Sequence, residues 1–110
     1  MLAVQASALT IKSGQVRAHS DGGKAEVDKT ISGLKPGTTA VVALSGWGIK
    51  SNYAADLGET TAIYLWDKTA NYWATEFPVS SSGKINVRFV CTYSATHPFD
   101  YTINYVVIGQ

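Results

Sequence analysis

Between Gly83 and Gly109, apolar and polar side chains alternate with a period of two on either side of one loop, a pattern that a helix cannot bury. In the first arm Ile85, Val87, Phe89, Cys91 and Tyr93 share one face, while Asn86, Arg88, Val90 and Thr92 share the other. In the second arm Tyr101, Ile103, Tyr105 and Val107 alternate with Thr102, Asn104, Val106 and Ile108. Its second face therefore begins polar and turns apolar toward the C-terminus. The loop between the arms, Ser94 to Asp100, holds a histidine, an aromatic and a carboxylate as His97, Phe99 and Asp100. Two rigid strands presenting such a loop are suited to hold a binding site.

The remaining chain extends the β reading. Ile11 to His19 reads as a strand interrupted at Ser13-Gly14, and Lys24 to Ile31 as a second, with Asp21-Gly22-Gly23 as the turn between them. After the Lys35-Pro36-Gly37 turn, Thr38 to Ser45 is a nearly continuous apolar run of the kind buried on both faces, which Gly46-Trp47-Gly48 then breaks. Ser51 to Gly58 reads as a longer loop carrying Tyr53 and Asp56. Thr60 to Trp66 and Tyr72 to Val79 read as strands separated by Asp67 to Asn71, and Ser80 to Gly83 leads into the final pair. The spacing predicts an all-β fold, an antiparallel β-sandwich of about six to seven strands. It forms a single domain over residues 1–110, with 1–12 as a candidate N-terminal arm.

At 110 residues the chain can build one core, near the size at which burial against a partner becomes useful. Charged residues make up 15% and hydrophobic ones 45%, so disorder is disfavoured and some apolar surface is open to cover by another subunit. The net charge is +1 and the nine basic residues are evenly spread, which argues against a phosphate-tracking surface and hence against nucleic acid. Cys91 is the only cysteine, so no intrachain disulfide and no cysteine-based zinc site can form; on the inward face of its strand it reads as a small buried hydrophobe. The first residues lack the basic and apolar regions of a signal peptide, and no stretch is long enough to insert in a membrane, which leaves the cellular location open.

Catalytic chemistry has few starting points. His19 and His97 are the only imidazoles, and neither lies in a nucleophile-elbow context. Carboxylate pairs could be drawn from Asp56, Glu59, Asp67, Glu76 and Asp100, as from any small protein. Zinc, calcium and phosphate-loop patterns are absent, so no cofactor is expected. Binding is better supported. Three tryptophans, six tyrosines and three phenylalanines include several in or beside loops: Trp47, Tyr53, Trp66, Tyr72, Trp73, Phe99 and Tyr101. A flat ring stacks on the apolar face of a sugar while neighbouring carboxylate, amide or imidazole groups take its hydroxyls. Tyr64 and Trp66 share one face of their strand, where core or subunit packing is the simpler explanation. Trp47, between two glycines, and Tyr53 look less like core.

Four segments together resemble the H-type lectin domain, the six-stranded sandwich of snail agglutinins and of the C-terminal part of discoidins. They are Ser13-Gly14-Gln15-Val16, Ser20-Asp21-Gly22-Gly23, Val41-Val42-Ala43-Leu44-Ser45 after a proline turn, and a last block from Gly83 through Cys91 and His97 to Tyr105-Val106-Val107-Ile108. The resemblance implies a trimer whose sites lie between subunits and read N-acetylgalactosamine-type sugars through an acid, an arginine and a histidine. The histidine falls at His97, and the early-loop glycine and acid at or near Gly23 and Glu26. Glu59 stands at about the place of the arginine, and the segment from Trp66 to Phe77 departs from the family. The chain also looks like the receptor-binding tip of a phage tail fibre, usually trimeric and glycan-binding as well.

The expectation is therefore a non-enzymatic, lectin-like module that binds cell-surface glycans as a homotrimer. Its candidate contacts are Asp21, Gly23, Glu26, Trp47, Tyr53, Asp56, His97 and Asp100. The alternatives are a structural or assembly domain of a viral or phage appendage, whose aromatics serve subunit contacts, and a small hydrolase.

Overall fold

The computed structural model describes residues 9–52, 61–93 and 97–110, and every regular element among them is a strand. The strands are β1 (Thr10–Ser20), β2 (Lys24–Ile31), β3 (Thr39–Lys50), β4 (Thr61–Asp67), β5 (Tyr72–Trp73), β6 (Glu76–Pro78), β7 (Ile85–Tyr93) and β8 (Phe99–Gly109). They form two antiparallel four-stranded sheets, β1-β8-β3-β6 and β2-β7-β4-β5. Apart from β4 to β5, each strand hands the chain to the opposite sheet, and this strand order is that of a jelly roll.

The alternation around the final loop is realised directly. Phe99, Tyr101, Ile103, Tyr105 and Val107 of β8 point inward and meet Val87, Phe89 and Cys91 of β7 in the core, joined by Val16, Ala40, Val42, Leu65 and Phe77. Cys91 is fully buried, and burial pushes its thiol up to about 11, so it packs as a protonated hydrophobe. On the other face of β8, Asp100, Thr102 and Asn104 give way to Val106 and Ile108, the same polar-to-apolar change seen in the sequence.

Five local expectations are corrected. β1 runs unbroken through Ser13-Gly14, because Gly14 faces the Tyr105 ring so closely that no Cβ would fit; the glycine serves packing and does not interrupt the strand. β3 does not stop at Ser45. A bulge between Leu44 and Gly46 absorbs one residue and the strand continues against β8 to Lys50. Its apolar run is buried on one face only, since Val41 and Ala43 point outward. The stretch from Tyr72 to Val79 is two strands in different sheets: Trp73 pairs with Trp66, and after Ala74-Thr75 the chain crosses so that Phe77 pairs with Ala40. Two bonds fix the crossing, Ala74 N–H to Leu65 C=O at 3.1 Å and Val42 N–H to Thr75 C=O at 2.9 Å. Finally, Phe99 and Asp100 belong to β8 and not to the loop, and Phe99 is core.

The strand registers collect three connections at one end of the sandwich. Ser20 lies opposite Phe99, Lys50 opposite Asp100, Lys24 opposite Thr92 and Thr61 opposite Tyr93. The β1–β2 turn, the β3–β4 connection and the β7–β8 connection therefore all leave from this end. At the other end Leu34 N–H donates to Gly83 C=O at 3.0 Å and Lys35 N–H to Gln110 C=O at 2.9 Å.

Candidate functional site

On the outer face of the first sheet, two neighbouring rows of side chains cross three strands near the loop end. Arg17, Thr102 and Gly48 form one row; His19, Asp100 and Lys50 form the other. Because Gly48 has no side chain and nothing approaches the space a Cβ would take, the sheet is hollowed there. The result is an open cleft of about 530 Å³ walled by Arg17, His19, Lys50 and Asp100 and floored by Thr102 and Gly48.

His19 organises this end. Its Nδ1 lies 2.7 Å from Asp100 Oδ1 across the β1–β8 pair, and its Nε2 lies 3.1 Å from Asp21 Oδ1 in the β1–β2 turn. A ring nitrogen bonded to a carboxylate must donate, so satisfying both contacts calls for the imidazolium. The Asp100 bond, followed by the Asp21 bond, accordingly raises the His19 pKa above its ordinary 6.5. Beside it, the Ser20 hydroxyl accepts from Gly22 N–H at 3.1 Å and reaches the carbonyls of Gly22 and Lys24, at 3.1 and 3.2 Å, which fixes the turn. The cleft thus offers cationic donors in Arg17 and Lys50, an acceptor in Asp100 and a hydroxyl in Thr102.

A second surface lies on the outer face of the other sheet. There Asp28 of β2 pairs with Arg88 of β7, with Arg88 Nε donating to Asp28 Oδ1 at 2.8 Å, and Lys68 donates to Asp28 Oδ2 at 2.8 Å. The Arg88 bond, then the Lys68 bond, hold the Asp28 carboxyl down to about 2. One residue pair along, Glu26 meets Lys24 at 2.7 Å and Arg88 Nη1 at 3.6 Å, and the Lys24 bond lowers its pKa. Next to this network stand three aromatic rings. Trp66 and Trp73 meet edge to face at 4.8 Å, and Tyr64 lies 5.7 Å from Trp73. Lys24, Glu26, Arg88, Val90, Trp66 and Trp73 together line a hollow of about 180 Å³.

The residues singled out in the sequence are therefore distributed. Asp21 and Asp100 are brought together through His19, and Gly23 lies in the same turn. His97 is half-buried in the bend before β8, at the same end, but the imidazole that walls the cleft is that of His19. Glu26 belongs to the opposite sheet. Trp47 shares the inward register with Ile103, away from the cleft, yet is 50% exposed at the sheet margin beyond the end of β6. Tyr53 and Asp56 lie outside the described residues. Sequence reasoning passed over Arg17, His19 and Lys50 as site residues. The available signal was the outward alternation Gln15, Arg17, His19, which meets Asn104, Thr102 and Asp100 once β1 and β8 are paired in register. Tyr64, read as core or interface, stands half-exposed on the second surface.

No protein family, curated protein or solved structure matches the chain.

Proposed function

We propose that the protein is a non-enzymatic carbohydrate-binding module that recognises cell-surface glycans as a trimer, with its sites near subunit contacts. One observation carries this reading: the cleft over Gly48 and Thr102, where the donors Arg17 and Lys50 and the acceptor Asp100 converge within about 530 Å³. A small concave site with a few well-placed hydrogen-bonding groups suits a sugar's hydroxyls. Both nitrogens of His19 are committed to carboxylates, which supports a binding role over general-base chemistry.

A glycan array probed with the wild-type protein and with Arg17→Ala and Asp100→Asn tests the proposal. Losing one charged hydrogen-bond partner should weaken the strongest signals about tenfold or more. The absence of any bound glycan, or binding indifferent to both substitutions, would overturn the assignment of the cleft.

A second reading, a structural or assembly domain of a viral or phage appendage, draws support from the apolar row Ile11, Ile108 and Val41 across the far half of the same sheet face. Arg17→Ala, in the cleft and outside the apolar row, separates the two. An oligomer that stays intact and loses glycan binding favours the module, and an intact wild-type oligomer that binds no glycan favours the assembly domain.

A further inference from the structure

The aromatic group on the outer face of the second sheet is not needed for the core or for the cleft. Tyr64 and Trp73 are both exposed, and Trp73, the more open of the two, keeps 58% of its surface in water. Clustered rings left facing solvent mark an interaction site more often than single exposed apolar residues do. Trp73 is also held in place, edge to face on Trp66 and tilted against Tyr64, so a ligand stacking on it immobilises little that is still free.

The surroundings narrow the ligand class. Beside the rings, Glu26 presents a carboxylate and Arg88 a guanidinium, each positioned by partners: Glu26 by Lys24 at 2.7 Å, Arg88 by Asp28 at 2.8 Å. The network sets three cations, Lys24, Lys68 and Arg88, against two carboxylates, Glu26 and Asp28, and every one of the three is already engaged with a carboxylate, so an acidic ligand would have to compete with Glu26 and Asp28 for them. A protein partner covering this face would have to strip water from all five charged groups, an expense that interfaces avoid at their centres. The apolar row on the first sheet is free of that penalty. A small ligand filling the hollow of about 180 Å³ leaves the outer charges hydrated.

We infer that this hollow is a second saccharide site, which takes the apolar face of a neutral pyranose against Trp73 and engages its hydroxyls with Glu26 and Arg88. It lies on the opposite side of the sandwich from the cleft, so one subunit bridges two glycan chains and cross-links them without help from oligomerisation. The bridging rests on the cleft reading; the second site does not.

Tryptophan emission during titration with lactose, cellobiose and N,N′-diacetylchitobiose tests the inference. At least one of these neutral disaccharides is expected to give a saturable change in emission. Trp73→Ala should weaken that response about tenfold, and Trp73→Phe, which keeps a stacking ring, should restore much of it. Glu26→Gln, a surface change that preserves shape, should weaken it severalfold. Thermal melts of each variant establish that the fold is intact. An unchanged emission with all three sugars, or a response that survives both Trp73→Ala and Glu26→Gln, overturns the site. So does dilution-dependent self-association abolished by Trp73→Ala, which would give the face to a second copy of the chain. The cleft is read separately through the Arg17 dependence of array binding, so either site can fail while the other stands.

Discussion

Tyr101 is only 2% exposed and its hydroxyl has no hydrogen-bond partner among the described residues. Burial pushes that hydroxyl up to about 12, and its desolvation is uncompensated. Tyr101→Phe should therefore leave stability unchanged or raise it by up to about 1 kcal/mol in urea denaturation; a loss of that size would reveal a partner for the hydroxyl. His19 is the opposite case, a side chain with both polar atoms engaged. Its folded pKa is raised, so the stabilisation from its two carboxylate bonds is fully present below the ordinary 6.5 and is lost as pH climbs through the raised value. A proton titration of the imidazole by NMR should give a midpoint above 6.5 that falls toward it in Asp100→Asn, the larger contributor. A midpoint indifferent to Asp100→Asn would mean that the bond across β1 and β8 does not form in solution.

At the scale of elements, a strand was readable wherever one buried face alternated with one open face over many residues. That held for β7 from Ile85 to Cys91 and for β8 from Tyr101 to Val107, whose inward rows the period-2 pattern picks out. It failed for β3, because an apolar outer face at Val41 and Ala43 looks in sequence like burial on both sides, and because a bulge conceals the continuity past Ser45. It failed again for β5 and β6, whose two and three residues are too short to show any period. Most of the cleft was equally hidden: Asp100, and Asp21 beside it, stand out by residue type, whereas the group that joins them, His19, is 81 positions from Asp100 and is placed only by register. Turns were readable from glycine and proline, and they make a quantitative comparison possible. Gly37 and Gly83 have almost the same backbone, at φ +77° and +76°, but a Cβ at Gly37 would meet nothing, while one at Gly83 would press on the Leu34 carbonyl oxygen at 2.6 Å. Gly37→Ala should cost about 1 kcal/mol for the left-handed conformation alone. Gly83→Ala should cost roughly 1–3 kcal/mol more, because it also forces apart the β2–β3 and β6–β7 connections. Equal losses in parallel denaturation curves would mean that the Leu34 carbonyl moves aside freely.

At the scale of the molecule, the first sheet's outer face is divided between two uses. Toward the loop end it is polar and hollow. Toward the other end Ile11, Ile108 and Val41 lie side by side across three strands, flanked by Val106 and Ala43, with Ile11 66% exposed. This row contains no charge, and its central strand is β8, whose inward face is already core, so covering it would bury β8 on both sides. If copies of the chain associate through this row, the cleft on the same face lies beside the contact, and a neighbour can help to wall it. Replacing Ile11 by glutamate and Ile108 by lysine puts two charges into such a contact while sparing the fold, because the two positions stand directly opposite one another as a cross-strand ion pair and both are partly open to water. The double variant should be monomeric at roughly micromolar concentrations where the wild type is oligomeric, by light scattering after gel filtration, with an unshifted thermal midpoint for the monomer fold. Multivalent binding to immobilised glycan should drop by about a hundredfold in the same variant, while the affinity for a single soluble glycan is retained. An oligomer that survives both charges would locate the subunit contact elsewhere, and a wild type that is monomeric would remove the trimer while leaving the cleft to be judged by its own substitutions.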